Sequence, residues 1–151
     1  MQKILISACL LGAKVRYNAE GKLIEHQLVS QWIKERRFVS ICPEVAGGLS
    51  TPRPPAEIQG KQVMTDTGVD VTAQFHKGAE LALALCQQHD IKFALLKARS
   101  PSCGSPQIYD GSFTSTRIDG QGITAALLTQ HGIEVFNEEQ IQELAEALVD
   151  D

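Results

Sequence analysis

The sequence predicts a three-layer α/β domain of Rossmann-like or flavodoxin-like topology, in which a mostly parallel sheet is covered by helices on both faces. Short apolar runs that are typical of buried strands alternate with longer segments of helical spacing from one end of the chain to the other. The 151 residues are 43% hydrophobic and 21% charged, which is enough to build a core. We therefore expect residues 1–151 to form one domain.

The first half of the chain predicts two strands, one helix and a hairpin. Residues 3–7 and 38–41 are short, apolar runs, as buried strands are. Residues 23–33 carry apolar side chains at helical spacing. A proline-rich stretch at 47–56 predicts a stiff, extended loop, and residues 57–65 predict a small hairpin.

The second half predicts two further strands and three helices. Asp70 is a typical N-cap for a long helix that runs from Val71 to about His89. Asn137 followed by Gln140 has the pattern of a capping box and predicts the start of the last helix. The other predicted elements are a strand at 93–96, a helix at 123–130 ended by Gly132, and a strand at 133–136.

Charge and hydropathy narrow the class of protein. The net charge is −4 and the chain has no block of lysine and arginine, which argues against a nucleic acid as partner. The apolar runs are too short to cross a bilayer, so a membrane is not expected as partner either. The N-terminus leads directly into a strand without an export signal, so we expect a cytoplasmic protein.

Three cysteines lie in segments that follow predicted strands and contain glycine or proline. Cys9 is in Ser-Ala-Cys-Leu-Leu-Gly, Cys42 in Ile-Cys-Pro-Glu-Val-Ala-Gly-Gly, and Cys103 in Ser-Pro-Ser-Cys-Gly. The carboxyl ends of neighbouring parallel strands meet at one edge of a sheet, where ligands of such folds bind. We therefore expect the three thiols to converge, whereas Cys86 lies on the apolar stripe of a helix and is expected to be a core residue.

Three convergent thiolates predict a metal site with one open coordination position. Structural zinc sites take four ligands, usually from close Cys-x-x-Cys pairs, and this sequence contains no such pair. Single cysteines on separate loops suit an iron–sulfur cubane better. With three cysteines, one iron of a 4Fe-4S cluster stays exposed and can bind a substrate as a Lewis acid, preferably through sulfur.

The neighbours of these cysteines provide candidates for the chemistry. Glu44 lies two residues after Cys42 and is a candidate general base or proton carrier. The Ser100 hydroxyl could orient water, donate a proton or cap its turn. Arg53 lies in the stiff loop and is a candidate partner for an anion or a carbonyl oxygen. The predicted substrate-binding set is Gly47, Gly48, Arg53 and Ser102.

The four longest motifs resemble those of the thiouracil desulfidase family. They are residues 7–12, 42–48, 51–57 and 97–104, and the shorter segments 68–72 and 120–125 match as well. The resemblance spans essentially the whole chain. It implies a Rossmann-like domain that holds an oxygen-sensitive 4Fe-4S cluster on Cys9, Cys42 and Cys103.

The resemblance also implies a reaction and roles for two residues. The family removes sulfur from thiolated pyrimidines without redox change, giving uracil and hydrogen sulfide, with the thiocarbonyl sulfur bound to the open iron. By motif position, Glu44 and Ser100 would handle protons and activate water. A free thiolated base or nucleoside, such as 2- or 4-thiouracil, is the expected substrate, because the chain is acidic and lacks the additional domain of relatives that act on transfer RNA.

Two other interpretations remain open from the residues alone. One is a cluster-free sulfurtransferase with a single nucleophilic cysteine of low pKa. The other is a module without catalytic activity that senses redox state or binds a structural metal, and that would unfold when the metal is removed.

Overall fold

The alternation of strands and helices is confirmed by a computed structural model, which describes residues 1–149. The strands are β1 (Ile4–Ser7), β2 (Phe38–Ile41), β3 (Ala56–Gln59), β4 (Gln62–Thr65), β5 (Phe93–Leu96), β6 (Gln107–Tyr109), β7 (Arg117–Asp119) and β8 (Glu134–Asn137). The α-helices are α1 (Gln27–Lys34), α2 (Pro43–Ala46), α3 (Thr72–Gln88), α4 (Ile123–Gln130) and α5 (Ile141–Val149), and a 3₁₀ helix (Ala8–Leu11) follows β1.

Four strands form the central parallel sheet, in the order β2-β1-β5-β8. Ser7 pairs with Ile41 of β2, and Ile6 pairs with Leu95 of β5, so β1, β2 and β5 end at the same edge. The pairs β3–β4 and β6–β7 are separate antiparallel hairpins. The predicted hairpin at 57–65 is therefore present, and β6–β7 adds a second one.

Helices cover both faces of the sheet, as the three-layer prediction requires. Alternate residues of β1 point to opposite faces, because side chains of a strand alternate. One face packs on α1 and α5 through Ile4, Ile6, Val29, Trp32 and Leu144. The other face packs on α3 and α4 through Leu5, Ala82, Cys86, Ala125 and Leu128.

The first helix is shorter than predicted. It begins at Gln27, and the ring nitrogen Nδ1 of His26 accepts the backbone N–H of Leu28 at 3.0 Å. The preceding backbone instead runs beside the 3₁₀ helix, where the N–H of Ile24 donates to the carbonyl of Leu10 at 3.0 Å. The helical prediction for residues 23–26 is wrong because these tertiary hydrogen bonds replace the helical ones.

Proline after β2 starts a helix that the sequence did not predict. Pro43 ends the strand as expected and occupies the first turn of α2, where its fixed φ angle favours a helix and its missing N–H costs no hydrogen bond. The long helix α3 starts at Thr72, one residue later than predicted, so its N-cap is Val71, and Asp70 Oδ1 accepts the N–H of Thr72 at 2.9 Å. The hydrogen bond of the predicted capping pair is present, since the N–H of Asn137 donates to Gln140 Oε1 at 3.1 Å, but the last helix begins only at Ile141, so the predicted helix start at Asn137 is wrong.

Within the described residues, no helix combines the length and apolar character needed to span a bilayer.

Candidate functional site

One cavity of about 610 Å³ opens at the edge of the sheet where β1, β2 and β5 end. Cys9 follows β1 in the 3₁₀ helix, Cys42 follows β2 directly, and Cys103 lies in the loop after β5. All three thiols line the cavity. The cavity is also lined by Glu44, Arg53 and Ser100.

Short turns fix the positions of the first two thiols. The 3₁₀ helix around Cys9 is closed by Gly12, whose φ of +93° suits glycine and whose N–H donates to the Cys9 carbonyl at 3.0 Å. Cys42 is the extended residue before α2, and its thiol donates to the carbonyl of Val15 at 3.8 Å. Both cysteines are therefore positioned by backbone that begins directly at a strand end.

The third thiol is held by a buried hydroxyl. Ser7 is 2% exposed, and its Oγ accepts the N–H of Lys97 at 2.9 Å and donates to Cys103 Sγ at 3.2 Å. Because Lys97 N–H supplies one hydrogen bond, the hydroxyl hydrogen is directed at the sulfur. Ser7, the last residue of β1, therefore bonds to both ends of the loop after β5. Lys97 lies at the start of this loop and Cys103 lies near its end.

The three thiols influence one another electrostatically. Burial, with a smaller contribution from the neighbouring Cys42, raises the pKa of Cys9 to about 11. Burial raises the pKa of Cys103 to about 12, with Cys9 and Cys42 among the groups that add to the shift. Burial also raises the pKa of Cys42. Such thiols stay protonated at neutral pH unless a metal or another cation stabilises the thiolates.

Two cations beside the thiols oppose this effect. Lys97 and Arg16 both lower the pKa of Cys9, although less than burial raises it. The Lys97 ammonium is held by Glu138 Oε2 at 2.9 Å, and Glu138 Oε1 accepts the N–H of Ala98 at 2.7 Å. Glu138 therefore fixes both the cation and the start of the loop that carries Cys103.

Glu44 and Arg53 form a largely buried ion pair in the cavity wall. Arg53 Nε lies 3.1 Å from Glu44 Oε1, and Arg53 Nη2 donates to the carbonyl of Val15 at 2.9 Å. Burial raises the pKa of Glu44, while the charge and hydrogen bond of Arg53 lower it. The other carboxylate oxygen, Oε2, accepts no hydrogen bond from residues 1–149. A carboxyl group of raised pKa with a free oxygen is suited to proton transfer.

Glycine places the helix of Glu44 directly on α3. A Cβ at Gly47 would collide with the carbonyl oxygen of Gln74, and a Cβ at Gly78 would collide with that of Pro43. Larger residues at either position would push α2, and Glu44 with it, away from its place. The close backbone approach at Gly47 is therefore made to α3.

Ser100 shapes the loop of Cys103 and still faces the cavity. Its Oγ accepts the N–H of Ser102 at 3.1 Å and that of Cys103 at 3.0 Å. With both lone pairs engaged, the hydroxyl hydrogen remains for donation into the cavity. The structure thus shows the turn-capping role and leaves the Ser100 hydroxyl free to act as a donor.

Gly48 and Ser102, like Gly47, are described residues that do not line the cavity. Gly48 has a φ of +107° and follows α2. Ser102 is 1% exposed, and its hydroxyl lies 2.7 Å from that of Thr124, while its carbonyl accepts the N–H of Thr124 at 2.9 Å. Ser102 therefore connects the loop of Cys103 to the first turn of α4.

The thiol arrangement fits a cluster better than a single ion. Sulfur ligands lie about 2.3 Å from a zinc ion, which forces them close together. Among residues 1–149, no three or more His, Cys, Asp or Glu side chains are grouped closely enough to hold one metal ion. Three soft donors around a cavity of this size suit an iron–sulfur cubane, whose thiolate ligands are farther apart, and leave room for a small molecule.

Sequence reasoning missed several residues of the site. Ser7, Lys97 and Glu138 act through contacts between segments distant in the chain, which spacing does not reveal. A usable signal existed for Ser7, because it is the polar last residue of an otherwise apolar strand. Glu57 and Phe113 also line the cavity, and they come from the two hairpins.

Comparisons with known proteins agree with this site. Residues 4–140 match the model of the 2-thiouracil desulfurase family. An uncharacterized protein of Bacillus subtilis (strain 168), YbbK, is 39% identical over an alignment of 151 positions that covers 93% of this chain and 99% of the relative. A solved structure of a [4Fe-4S]-dependent thiouracil desulfidase, TudS, is 54% identical and superposes with a TM-score of 0.98 over 100% of both chains.

Proposed function

The chain belongs to the 2-thiouracil desulfurase family, and we propose that it hydrolyses the carbon–sulfur bond of a thiolated pyrimidine base or nucleoside with the help of a 4Fe-4S cluster. The observation that carries the proposal is the cavity in which three thiols meet the Glu44–Arg53 pair. The 54% identity to a desulfidase that depends on such a cluster supports both the activity and the cofactor.

We assign Cys9, Cys42 and Cys103 as the cluster ligands. They are the cysteines that line the cavity, and positive side chains such as Lys97 and Arg16 lie near enough to stabilise negative charge there. When bound by three thiolates, the cluster would supply one iron as a Lewis acid for the substrate sulfur. Cys86 is excluded from this set because it does not line the cavity.

Glu44 and Ser100 are assigned the proton steps. The Glu44 carboxylate accepts a proton from the water that attacks the thiocarbonyl carbon, and that proton is returned to the departing sulfur. Water and the thiolated base then yield the oxo base and hydrogen sulfide, with no net electron transfer. Arg53 keeps the Glu44 side chain oriented through Oε1, and Ser100 donates its free hydroxyl hydrogen to the water or to the ring.

The remaining assignments concern support of the site and its setting. We propose that Gly47 and Ser102 hold the segments of Glu44 and Cys103, whereas direct contact of Gly47, Gly48 or Ser102 with substrate stays a prediction. We further propose that residues 1–151 form one desulfidase domain. A cytoplasmic location fits three thiols that must stay reduced to bind iron.

The test is an anaerobic assay of protein reconstituted with iron and sulfide. We expect brown protein with about four iron and four sulfide per chain. It should release hydrogen sulfide and the oxo base in equal amounts from 2-thiouracil or 4-thiouracil, with thiolated nucleosides assayed alongside. Sulfide release by iron-free protein in air would replace this proposal with a cysteine sulfurtransferase. Loaded protein that releases no sulfide from any of these compounds would contradict it.

A further inference from the structure

We propose that the substrate ring stacks on Phe113, and that Glu57 is the positioning residue that holds Phe113 for this contact. The inference rests on the proposed function, which supplies a planar pyrimidine as the ligand. It assigns a recognition role to a segment that carries none of the predicted site residues, the loop between β6 and β7.

The Phe113 side chain faces the cavity instead of the core. It is half-buried and lines the same cavity as the three thiols. Among the described residues, the three hydrophobic clusters do not include it, and the ring pair of the chain is Trp32 with Phe38. A large apolar ring that packs into no cluster but borders a binding cavity is available to a flat ligand.

The Phe113 backbone adopts a conformation that is unfavourable for a bulky residue. Its φ is +58°, in the left-handed region that favours glycine. Ser115, two residues on, has a φ of +59° and lines the cavity as well. Such conformations persist where surrounding contacts fix them, and they concentrate at ligand sites.

The contacts that fix this loop come from β3. Glu57 Oε1 accepts the N–H of Gly111 at 2.9 Å and that of Phe113 at 3.2 Å. Gln59 Nε2 donates to the carbonyl of Gly111 at 2.7 Å, and a Cβ at Gly111 would lie 2.7 Å from the carbonyl oxygen of Ile58. Segment 111–113 is therefore docked on β3, and one carboxylate oxygen determines where the Phe113 ring lies.

The other aromatic side chains of the cavity are held differently. Tyr109 lies within β6, and Tyr17 is 41% exposed. Neither has a positive φ or a carboxylate from another strand on its backbone N–H. Phe113 is thus the aromatic residue whose position is determined by a specific contact from another element.

The experiment measures kcat and KM for sulfide release by the loaded enzyme, with equilibrium dialysis of 2-thiouracil as a second readout. Phe113→Ala should raise KM and the dissociation constant about tenfold, the usual effect of losing one base–aromatic stack, and leave iron content unchanged. Phe113→Trp should stay close to the parent, whereas Phe113→Leu should behave like Phe113→Ala. If Phe113→Leu restores binding, the ring is only an apolar wall and the proposal fails.

Variants of Glu57 test the positioning role. Glu57→Ala should raise KM as Phe113→Ala does, whereas Glu57→Gln keeps an acceptor oxygen for both N–H groups and should restore KM. The double variant Glu57→Ala/Phe113→Ala should be no worse than either single variant, because Glu57 acts through Phe113. Additive losses would overturn this role.

A matched control and the unsubstituted enzyme complete the design. Phe38→Leu alters a half-buried ring in the core and should leave KM unchanged. A tenfold rise in KM for Tyr17→Ala with none for Phe113→Ala would refute the stacking role. The unsubstituted loaded enzyme separates the two proposals. If it binds 2-thiouracil but releases no sulfide, the proposed reaction is disproved, and the dissociation constants from dialysis still test the stacking on Phe113.

Discussion

Cys103 of the cavity and Cys86 of the core are both buried, but they differ in their neighbours. Cys86 is 1% exposed and packs among apolar residues of α3, α4 and the sheet, and burial alone raises its pKa to about 11. Cys103 is 5% exposed, yet it contacts Ser7 and its pKa also responds to Cys9, Cys42 and Glu44. Polar and charged neighbours therefore distinguish a ligand thiol from a structural one.

The largest effect is expected from exchanging single cysteines. Cys9→Ser, Cys42→Ser and Cys103→Ser should each abolish the brown colour, the bound iron and sulfide release, because a hydroxyl is a poor ligand for cluster iron. Cys86→Ala should retain iron and activity, since its thiol does not line the cavity. Iron analysis and the anaerobic assay are the measurements.

Two results would contradict the assignment of the cavity cysteines, and not Cys86, as cluster ligands. A Cys42→Ser variant with full iron content and activity would remove Cys42 from the ligand set. Loss of iron in Cys86→Ala, with the fold intact by circular dichroism, would place that thiol among the ligands and erase the distinction between the two regions.

The next effect concerns the charged neighbours of the cavity thiols. Glu44→Gln keeps the size of the side chain and its contact with Arg53 but cannot accept a proton. We expect kcat to fall about 10²- to 10⁴-fold with iron content unchanged, as is typical when a general base is removed. Glu80→Gln, an exposed change on α3, is the control. Unchanged kcat in Glu44→Gln would move the proton step to another group.

A smaller effect should come from the hydroxyl that contacts Cys103. Ser7→Ala removes the hydrogen bond to the sulfur, so more electron density stays on the thiolate and the reduction potential of the cluster should become more negative. Loss of such a contact typically costs about tenfold in metal affinity or activity. Redox titration followed by electron paramagnetic resonance measures the potential.

Thr124→Val is the matched control for Ser7→Ala. It removes another fully buried hydroxyl, whose partner is Ser102 and not a sulfur. The potential should therefore stay at the parent value in Thr124→Val. Equal shifts in both variants would mean that general loosening of the loop, and not the hydrogen bond, sets the potential.

The sequence predicted the parts of the molecule that depend on short-range patterns. Apolar runs located the four strands of the sheet, and the cysteine segments located the edge at which the cavity opens. The helical prediction for residues 23–26 failed because backbone hydrogen bonds to the 3₁₀ helix replace helical ones, in a segment that begins where Gly21 lies close to the carbonyl of Gly12. No local pattern encodes such a tertiary choice.

The same limit applies to the candidate site. The three cysteines, Glu44, Arg53 and Ser100 could be proposed from segments that follow strands, and all of them line the cavity. Ser7, Glu138 and Glu57 could not, because their partners lie 96, 40 and 54 residues away in the chain. Gly47 illustrates a third case, in which a glycine signals close backbone approach but not the surface that approaches.

The smallest expected effect is a change with pH in the stability difference between the parent and Cys86→Ala, which tests the core cysteine. At pH 7, cluster-free Cys86→Ala should be less stable than the parent by about 1 kcal/mol, a typical cost of a single substitution. The folded state keeps the Cys86 proton up to a pKa of about 11, whereas the unfolded chain releases it near 9.0. Between these values the unfolded state binds fewer protons, so the parent loses stability as pH rises.

Cys86→Ala does not lose stability in this way, because it has no thiol at position 86. The other ionisable groups are common to both proteins, so their effects cancel in the difference between the two free energies of unfolding. The stability gap should therefore narrow from pH 9 to pH 11, as measured by urea unfolding at each pH. A constant gap over that range would show that burial does not hold the Cys86 proton. In that case the Cys86 thiol would titrate in the folded protein as it does in the unfolded chain.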